Sequence, residues 1–594
     1  MATFTPSKTP KPIEIDKFLG LNEAVGDTEV KPGESIYMRN FRTTSNYKLE
    51  KRGGHTTFID ETQPTKYVRG MWYGRFGTDM VLIYACNGNV KKKIMPSGAT
   101  TTLGTMADTD TTMFYFTGKL FFLNGSQYKY YDGSTFADVT SIAYVPTIAI
   151  NAPPTGGGTL FEEVNNLTGK KKQTFLATGS ATEFVLAEQN IDAALLIVTV
   201  NGVTKTEITD FTVNRTTGKV TFLSAPAANA EVVIQWEKAA TAQASLVTAN
   251  RAATIFGPGN DTTVFIWGDP ANKNRRTFSG TLDATYWPVN FYTLIGSDEY
   301  AVTDMQPQYD RLIIYKENET FYSVPEYNSA LTQYDYPVYN LNYSIGNVAF
   351  NGVQVVRNNP VSLYSRSIWE WVSTQVKDER NATDRGERLG VSFDAIDFTT
   401  AITVDFQAKQ ELWVNVGSLV YIWNYDNDTL YIYDNIEANC FLEIDGVMYY
   451  GTKTGKIERF SGDLNDNGTA INAVWKSGFV DFGAYEYLKT SRDMWFSIQP
   501  FSRTSVSIKC PTNRKNEFDP TIKTFTKGYV LFDFEDIDFE DFSFETNRNP
   551  QTFRIKIKAK KYTSIQFIFT NAELDESLVF LSFKVSCETG SFSK

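Results

Sequence analysis

Met80-Val-Leu-Ile-Tyr84, followed by Asn87-Gly88, is a short apolar strand running into a tight turn, and the same pattern returns along most of the chain. Lys119-Leu-Phe-Phe-Leu123 precedes Asn124-Gly125, Arg311-Leu-Ile-Ile-Tyr315 leads to Thr320-Phe-Tyr322, and Val361-Ser-Leu-Tyr364 leads to Ser367-Ile-Trp369. Glu411-Leu-Trp-Val414 is followed by Leu419-Val-Tyr-Ile-Trp423, and Gly446-Val-Met-Tyr-Tyr450 by Gly455-Lys-Ile457. Asn-Gly and similar pairs supply the positive φ angles of two-residue hairpins, so each unit reads as paired antiparallel strands. Hairpins repeated every few tens of residues are the pattern of propeller blades. At ~40–50 residues per blade the repeating regions hold about six to eight.

Two other regions do not repeat in this way. Asn151-Ala-Pro-Pro154-Thr-Gly156-Gly157-Gly158 reads as a linker. After it comes a compact strand series through Glu183-Phe-Val-Leu186, Leu196-Ile-Val-Thr-Val200, Phe211-Thr-Val213, Lys219-Val-Thr-Phe222 and Glu231-Val-Val-Ile-Gln-Trp236. That series is the size of a small Ig-like β-sandwich set into a propeller loop. Beyond Phe460, alternating segments such as Arg492-Asp-Met-Trp-Phe-Ser-Ile498, Phe553-Arg-Ile-Lys-Ile-Lys558 and Leu578-Val-Phe-Leu-Ser-Phe583 predict a C-terminal antiparallel sandwich. The expected class is all-β: a β-propeller with an inserted sandwich and a C-terminal sandwich. The expected division is an extended anchoring segment over 1–55, propeller over 56–160 and 241–465, the insert over 165–240, and the last domain over 470–594.

Composition narrows the function. With 594 residues, 14% of them aromatic, the chain has ample material for several packed cores. A formal net charge of −11 argues against a protein that grips nucleic acid through a basic face. Cys86, Cys440, Cys510 and Cys587 lie far apart, which predicts free thiols rather than a zinc or redox site. No apolar run approaches the roughly 20 residues of a membrane helix, and the polar start is unlike a signal peptide, so synthesis and retention in the cytoplasm are expected.

Phe18-Leu19-Gly20-Leu21-Asn22, Val30-Lys-Pro32-Gly33-Glu34, Met38-Arg39-Asn40-Phe41 and Lys48-Leu49-Glu50-Lys51-Arg52-Gly53-Gly54 stand in that order near the start. They resemble the opening of the nozzle or hub (tail tubular) proteins of short-tailed bacteriophages, through Phe18, Gly20, Leu21, Asn22, Glu34, Asn40, Phe41, Lys51 and Arg52. The resemblance covers about the first 55 residues, and the insert also looks like small β domains of phage tails. It implies a homo-oligomeric ring, usually of six, in a virion tail. It further implies contacts with adaptor, portal and fibre proteins, and double-stranded DNA passing through the ring without sequence-specific binding. A receptor-binding or carbohydrate-binding tail propeller is the alternative, and a polysaccharide-cleaving tail enzyme a lesser one.

No catalytic residue or cofactor is assigned. His55 is the only histidine, so a His-based triad would have to use it, and there is no Gly-x-Ser-x-Gly elbow. Its expected role is structural. Asp463, Asn465 and Asn467, before Gly468, match the first half of a calcium loop, but Val474 stands where the bidentate glutamate belongs, which favours a polar turn. Asp533, Glu535, Asp536, Asp538, Glu540 and Asp541 alternate with Phe and Ile between Leu531 and Glu545, as in a solvated strand face, a subunit contact or an acidic channel wall. The spaced apolar residues from Phe18 to Phe41 predict a segment that packs on something larger and closes the propeller or anchors it to the next domain.

Overall fold

The structure is a computed structural model that describes residues 11–61, 66–194, 196–259, 261–329, 333–372, 382–460, 462–499, 501, 503–513, 525–530 and 549–592. The tract from Asp533 to Asp541 lies outside the described residues. The chain is all-β and divides into two compact units, one formed by 69–344 and the other by 1–68 with 345–594.

The unit of residues 69–344 contains four antiparallel four-stranded sheets, three of them simple meanders and one with a small hairpin, Glu326–Asn328 and Gln333–Asp335, between its third and fourth strands. Asp79–Cys86 and Asn89–Ile94 form the central hairpin of one, and the Met80 stretch lies in it, turning at Asn87 and Gly88 with φ of 53° and 71°. The others are built on Lys119–Leu123, Thr263–Trp267 and Arg311–Lys316. The buried residues of each second strand, such as Ile313, Ile314 and Tyr315, carry apolar side chains on both faces, as expected for a strand sandwiched between neighbouring blades. The first strands Thr112–Phe116, Ala252–Phe256 and Val302–Gln308 lie side by side in succession.

The unit containing both termini has two more such sheets, and the four strands from Ile402 to Tyr433 form a third meander within a nine-stranded sheet, making seven blade-like meanders in the described residues. One of them is closed by a distant strand. Ala438–Ile444, Val447–Thr452 and Lys456–Arg459 take Thr56–Asp60 as their fourth member, with Ile457 opposite Ile59. The all-β propeller reading holds, and the fourth strand of this blade comes from residues 56–60, just beyond the Phe18–Phe41 segment expected to close the propeller or anchor it to the next domain.

Residues 11–51 instead enter the C-terminal sandwich. Lys11–Ile15 and Leu49–Lys51 pair with Val579–Phe592, while Ser35–Arg39 pairs with Ala473–Ser477. Arg39 also meets Ile432 in parallel register, so one sheet runs on from the Ile402–Tyr433 blade into the sandwich. The last domain is thus not 470–594 alone: its two sheets are incomplete without the beginning of the chain. Trp475 and Phe569 from one sheet pack on Phe580 and Phe583 from the other. The core of these rings is continuous with that of the blades.

The insert also differs from its expected limits. Its larger sheet has the order Thr159–Leu160, Thr147–Ala152, Lys170–Leu176, Glu231–Glu237, Ile197–Val200, Val203–Lys205, and a three-stranded sheet covers it. Asn151-Ala152 is strand rather than linker, and Ala152 is buried in the insert core with Phe175, Phe184 and Trp236. Proline and glycine serve here as the turn between two strands, which composition alone does not distinguish from a tether. Asn165 and Leu167 belong elsewhere: Leu167 packs with Val264 and Trp287 in a blade core, and the Asn165 amide donates to the carbonyls of Tyr144 and Thr285.

Candidate functional site

The N-terminal motif residues converge on one buried junction. Phe18 is fully buried, edge-on to Trp475 at 5.4 Å and to Phe580 at 6.0 Å. Burial of a Phe side chain contributes about 1.5–3 kcal/mol. Gly20 has φ +82°, and a Cβ there would lie 2.7 Å from the Leu430 carbonyl oxygen, so the chain must be bare at this point for the Leu21 N–H to reach that oxygen. Asn22 donates to Glu34 at 2.9 Å, and the same carboxylate oxygen accepts from the Lys31 N–H, fixing the turn through Pro32-Gly33. Leu21 and Phe41 complete the apolar part.

Asn40 and Arg52 form the polar part. The Asn40 amide donates to Asp434 at 2.6 Å and to the Asn472 carbonyl at 2.9 Å, and its oxygen accepts from Arg52 Nε at 2.8 Å. The Arg52 guanidinium meets both oxygens of Asp466, at 2.9 and 2.6 Å, in a forked pair whose side chains are 1% and 3% exposed. A further donation to the Asp434 carbonyl ties the fork to the end of the blade strand. Lys51 donates to Asn571 at 2.6 Å in the sandwich. Burial, partly offset by Glu576, pushes the Lys51 ammonium down to about 8.

His55 lies inside the same cluster, 5% exposed, with Nε2 3.5 Å from Asp466 and Nδ1 3.7 Å from Glu458. Its ring is edge-on to Tyr450 and Phe460. Burial opposes ionisation of Asp466, but Arg52, His55 and Asn435 outweigh it and hold the carboxyl below its ordinary value. Glu458 behaves likewise: burial is overcome by His55, Asn467 and Thr57. No nucleophile stands beside this histidine among the hydrogen bonds of the described residues. The arrangement is a strut.

The suspected calcium loop is part of the strut. Asn465–Asp466 and Thr469–Ala470 form a minimal hairpin turning at Asn467 and Gly468, both with positive φ. The Asn467 oxygen accepts from the Thr57 N–H, the Asn465 oxygen accepts from the Gly468 N–H, and the Asp463 carbonyl accepts from the Gly54 N–H. These oxygens serve protein donors rather than a common point. Among the described residues no group of three or more His, Cys, Asp or Glu side chains could hold a metal ion. The four cysteines are free thiols. Sequence reasoning missed Asp434 and Asp466. The polar run from Asp463 to Gly468 was the available signal, since a buried fork needs a carboxylate and that run supplies one.

No protein-family model matches the chain, and no curated protein does. Solved structures with some likeness include BamB from Moraxella catarrhalis, with 10% identity, 67% of this chain and 96% of that one covered, and a TM-score of 0.32. The AfRom2 CNH domain gives 8% identity, 68% and 98% coverage, and a TM-score of 0.34. An exo-beta-1,3-galactanase from Phanerochaete chrysosporium gives 10% identity, 57% and 97% coverage, and a TM-score of 0.22.

Proposed function

We propose that this chain is a non-catalytic structural component of a bacteriophage tail, a subunit of a nozzle or hub ring around the DNA ejection channel. One observation carries the reading. The stretch that resembles the tail nozzle family is also the stretch whose side chains lock the Ile402–Tyr433 blade to the C-terminal sandwich. A motif that holds modules together suits a part that bears load in an assembly. In this reading six copies form the ring, adaptor and portal proteins lie above it, and fibres attach to its modules. Synthesis is in the host cytoplasm and the final location is the virion tail. The net charge of −11 suits a conduit to which DNA does not adhere.

The test is electron microscopy of the purified full chain at high concentration. Closed rings with an axial channel are expected. A population that stays monomeric under all conditions, or reproducible release of reducing sugar from host envelope material, would overturn the proposal.

A further inference from the structure

Three strands of the C-terminal sandwich end together, where Tyr487 stands opposite Phe592 and Lys489 opposite both Tyr562 and Thr589. Lys489 is fully buried and donates to the carbonyls of Ala484, Tyr487 and Thr563, which fixes the turn 484–487 on the end of the Gln551–Tyr562 strand. That turn carries Tyr485, 76% exposed. Beside it Phe592 is 62% exposed, its ring stacked 4.6 Å from that of Tyr487.

Next to this aromatic end the Gln551–Tyr562 strand exposes Arg554, Lys556, Lys558, Lys560 and Lys561. Alternate residues on a strand are about 6.8 Å apart, so the cations form a row. Asp493 takes Arg554 and also faces Lys556 across the strands, and Glu588 takes Arg492, while no carboxylate of the described residues forms an ion pair with Lys558, Lys560 or Lys561. Lys558 and Lys561 have φ of 48° and 55°, and the register slips at each of them. Glycine or asparagine takes that conformation more cheaply, so lysine there is retained against a local conformational cost. An edge guarded by lysine would not need its cations on bulges beside exposed rings.

We propose that this end of the sandwich is a contact surface for an anionic lipid bilayer, with the lysines on headgroup phosphates and Phe592 and Tyr485 at the boundary of headgroups and acyl chains. The chemistry is that of interfacial binding: a row of lysines draws the protein to negative lipid, and adjoining aromatic rings enter the interface. A nucleic acid would use the cations but has less use for a ring already stacked on its neighbour. The inference does not rest on the ring reading.

The test is cosedimentation of the full chain with phosphatidylcholine vesicles containing or lacking phosphatidylglycerol. Binding only to the anionic vesicles, weakened by salt, is expected. The double variant Lys558→Asn/Lys561→Asn removes two charges in a conformation asparagine favours, so it should stay folded and bind about thirty-fold more weakly. Phe592→Ser should weaken vesicle binding and leave the thermal midpoint in place. Binding that is equal on neutral vesicles, undetectable, or unchanged in the double variant would overturn the proposal. So would binding to a dT oligonucleotide as tight as to vesicles and indifferent to Phe592→Ser, which would mark a nucleic-acid surface.

Discussion

The insert and the C-terminal sandwich are both pairs of β-sheets around aromatic cores, yet they are sewn in opposite ways. Every strand of the insert comes from one stretch, 147–237, and its long Lys170–Leu176 and Glu231–Glu237 strands bury Phe175, Val232, Ile234 and Trp236 among their own kind. The sandwich takes Lys11–Ile15, Ser35–Arg39 and Phe41–Lys51 from the far end of the sequence and shares its core with the blades. A domain closed on itself can be lost or gained without disturbing its host. A domain completed by a remote segment cannot.

The largest effect expected from this contrast is that of starting the chain at Lys51. The truncated protein would lack the strands Lys11–Ile15, Ser35–Arg39 and Phe41–Thr43, most of Leu49–Lys51, and the fully buried Phe18, Phe41 and Leu49, and should be insoluble or lose its cooperative thermal transition. An unchanged midpoint would show the N-terminal strands to be dispensable. Next comes Arg52→Ala, which leaves Asp466 buried without its cation and should cost about 3–5 kcal/mol in denaturant unfolding. Arg52→Lys should recover only part, because an ammonium cannot fork.

Asn165→Ala sharpens the other side of the comparison. Asn165 joins the Tyr144 and Thr285 carbonyls and accepts from the Trp287 N–H, so its loss should cost about 1–3 kcal/mol in the blades. If the insert is autonomous, its transition should be untouched, as proteolysis or hydrogen exchange would report. The smallest effect is one of pH. Asp466 and Glu458 sit below their ordinary values of 3.8 and 4.5, so the stability they contribute is complete above those values and fades as pH falls below them. Lys51, lowered from 10.5 to about 8, works in the other sense: the unfolded chain holds its proton longer, and stability rises as pH climbs from 8 to 10.5. Lys51→Met should remove that alkaline rise alone.

The blades were legible because their information is local. An apolar strand, an Asn-Gly or Asp-Gly turn and a second strand lie within a dozen residues, and Asp445-Gly446 and Asn87-Gly88 turn where their composition says. Pairings across hundreds of residues leave no such trace. Nothing in the spacing of Ser35–Arg39 indicates that Val474 and Trp475 are its partners. Pro153-Pro154 misled for a related reason, since the residues that bar a strand also end one. The junction was half visible: the family-like motif supplied Asn40 and Arg52, while their carboxylate partners arrive only through the fold.

The junction also sets a timetable. Arg52 and Asp466 are separated by 414 residues, so at ~5–20 residues per second the ribosome takes roughly 20–80 s to deliver the partner of a side chain it has already released. Throughout that interval Phe18, Leu21, Met38 and Phe41 have no native surface to cover them, whereas the insert can finish as soon as Trp236 emerges. These apolar residues therefore stay uncovered long after they are made, and any factor that shields emerging apolar segments would act on this stretch until its partners are delivered.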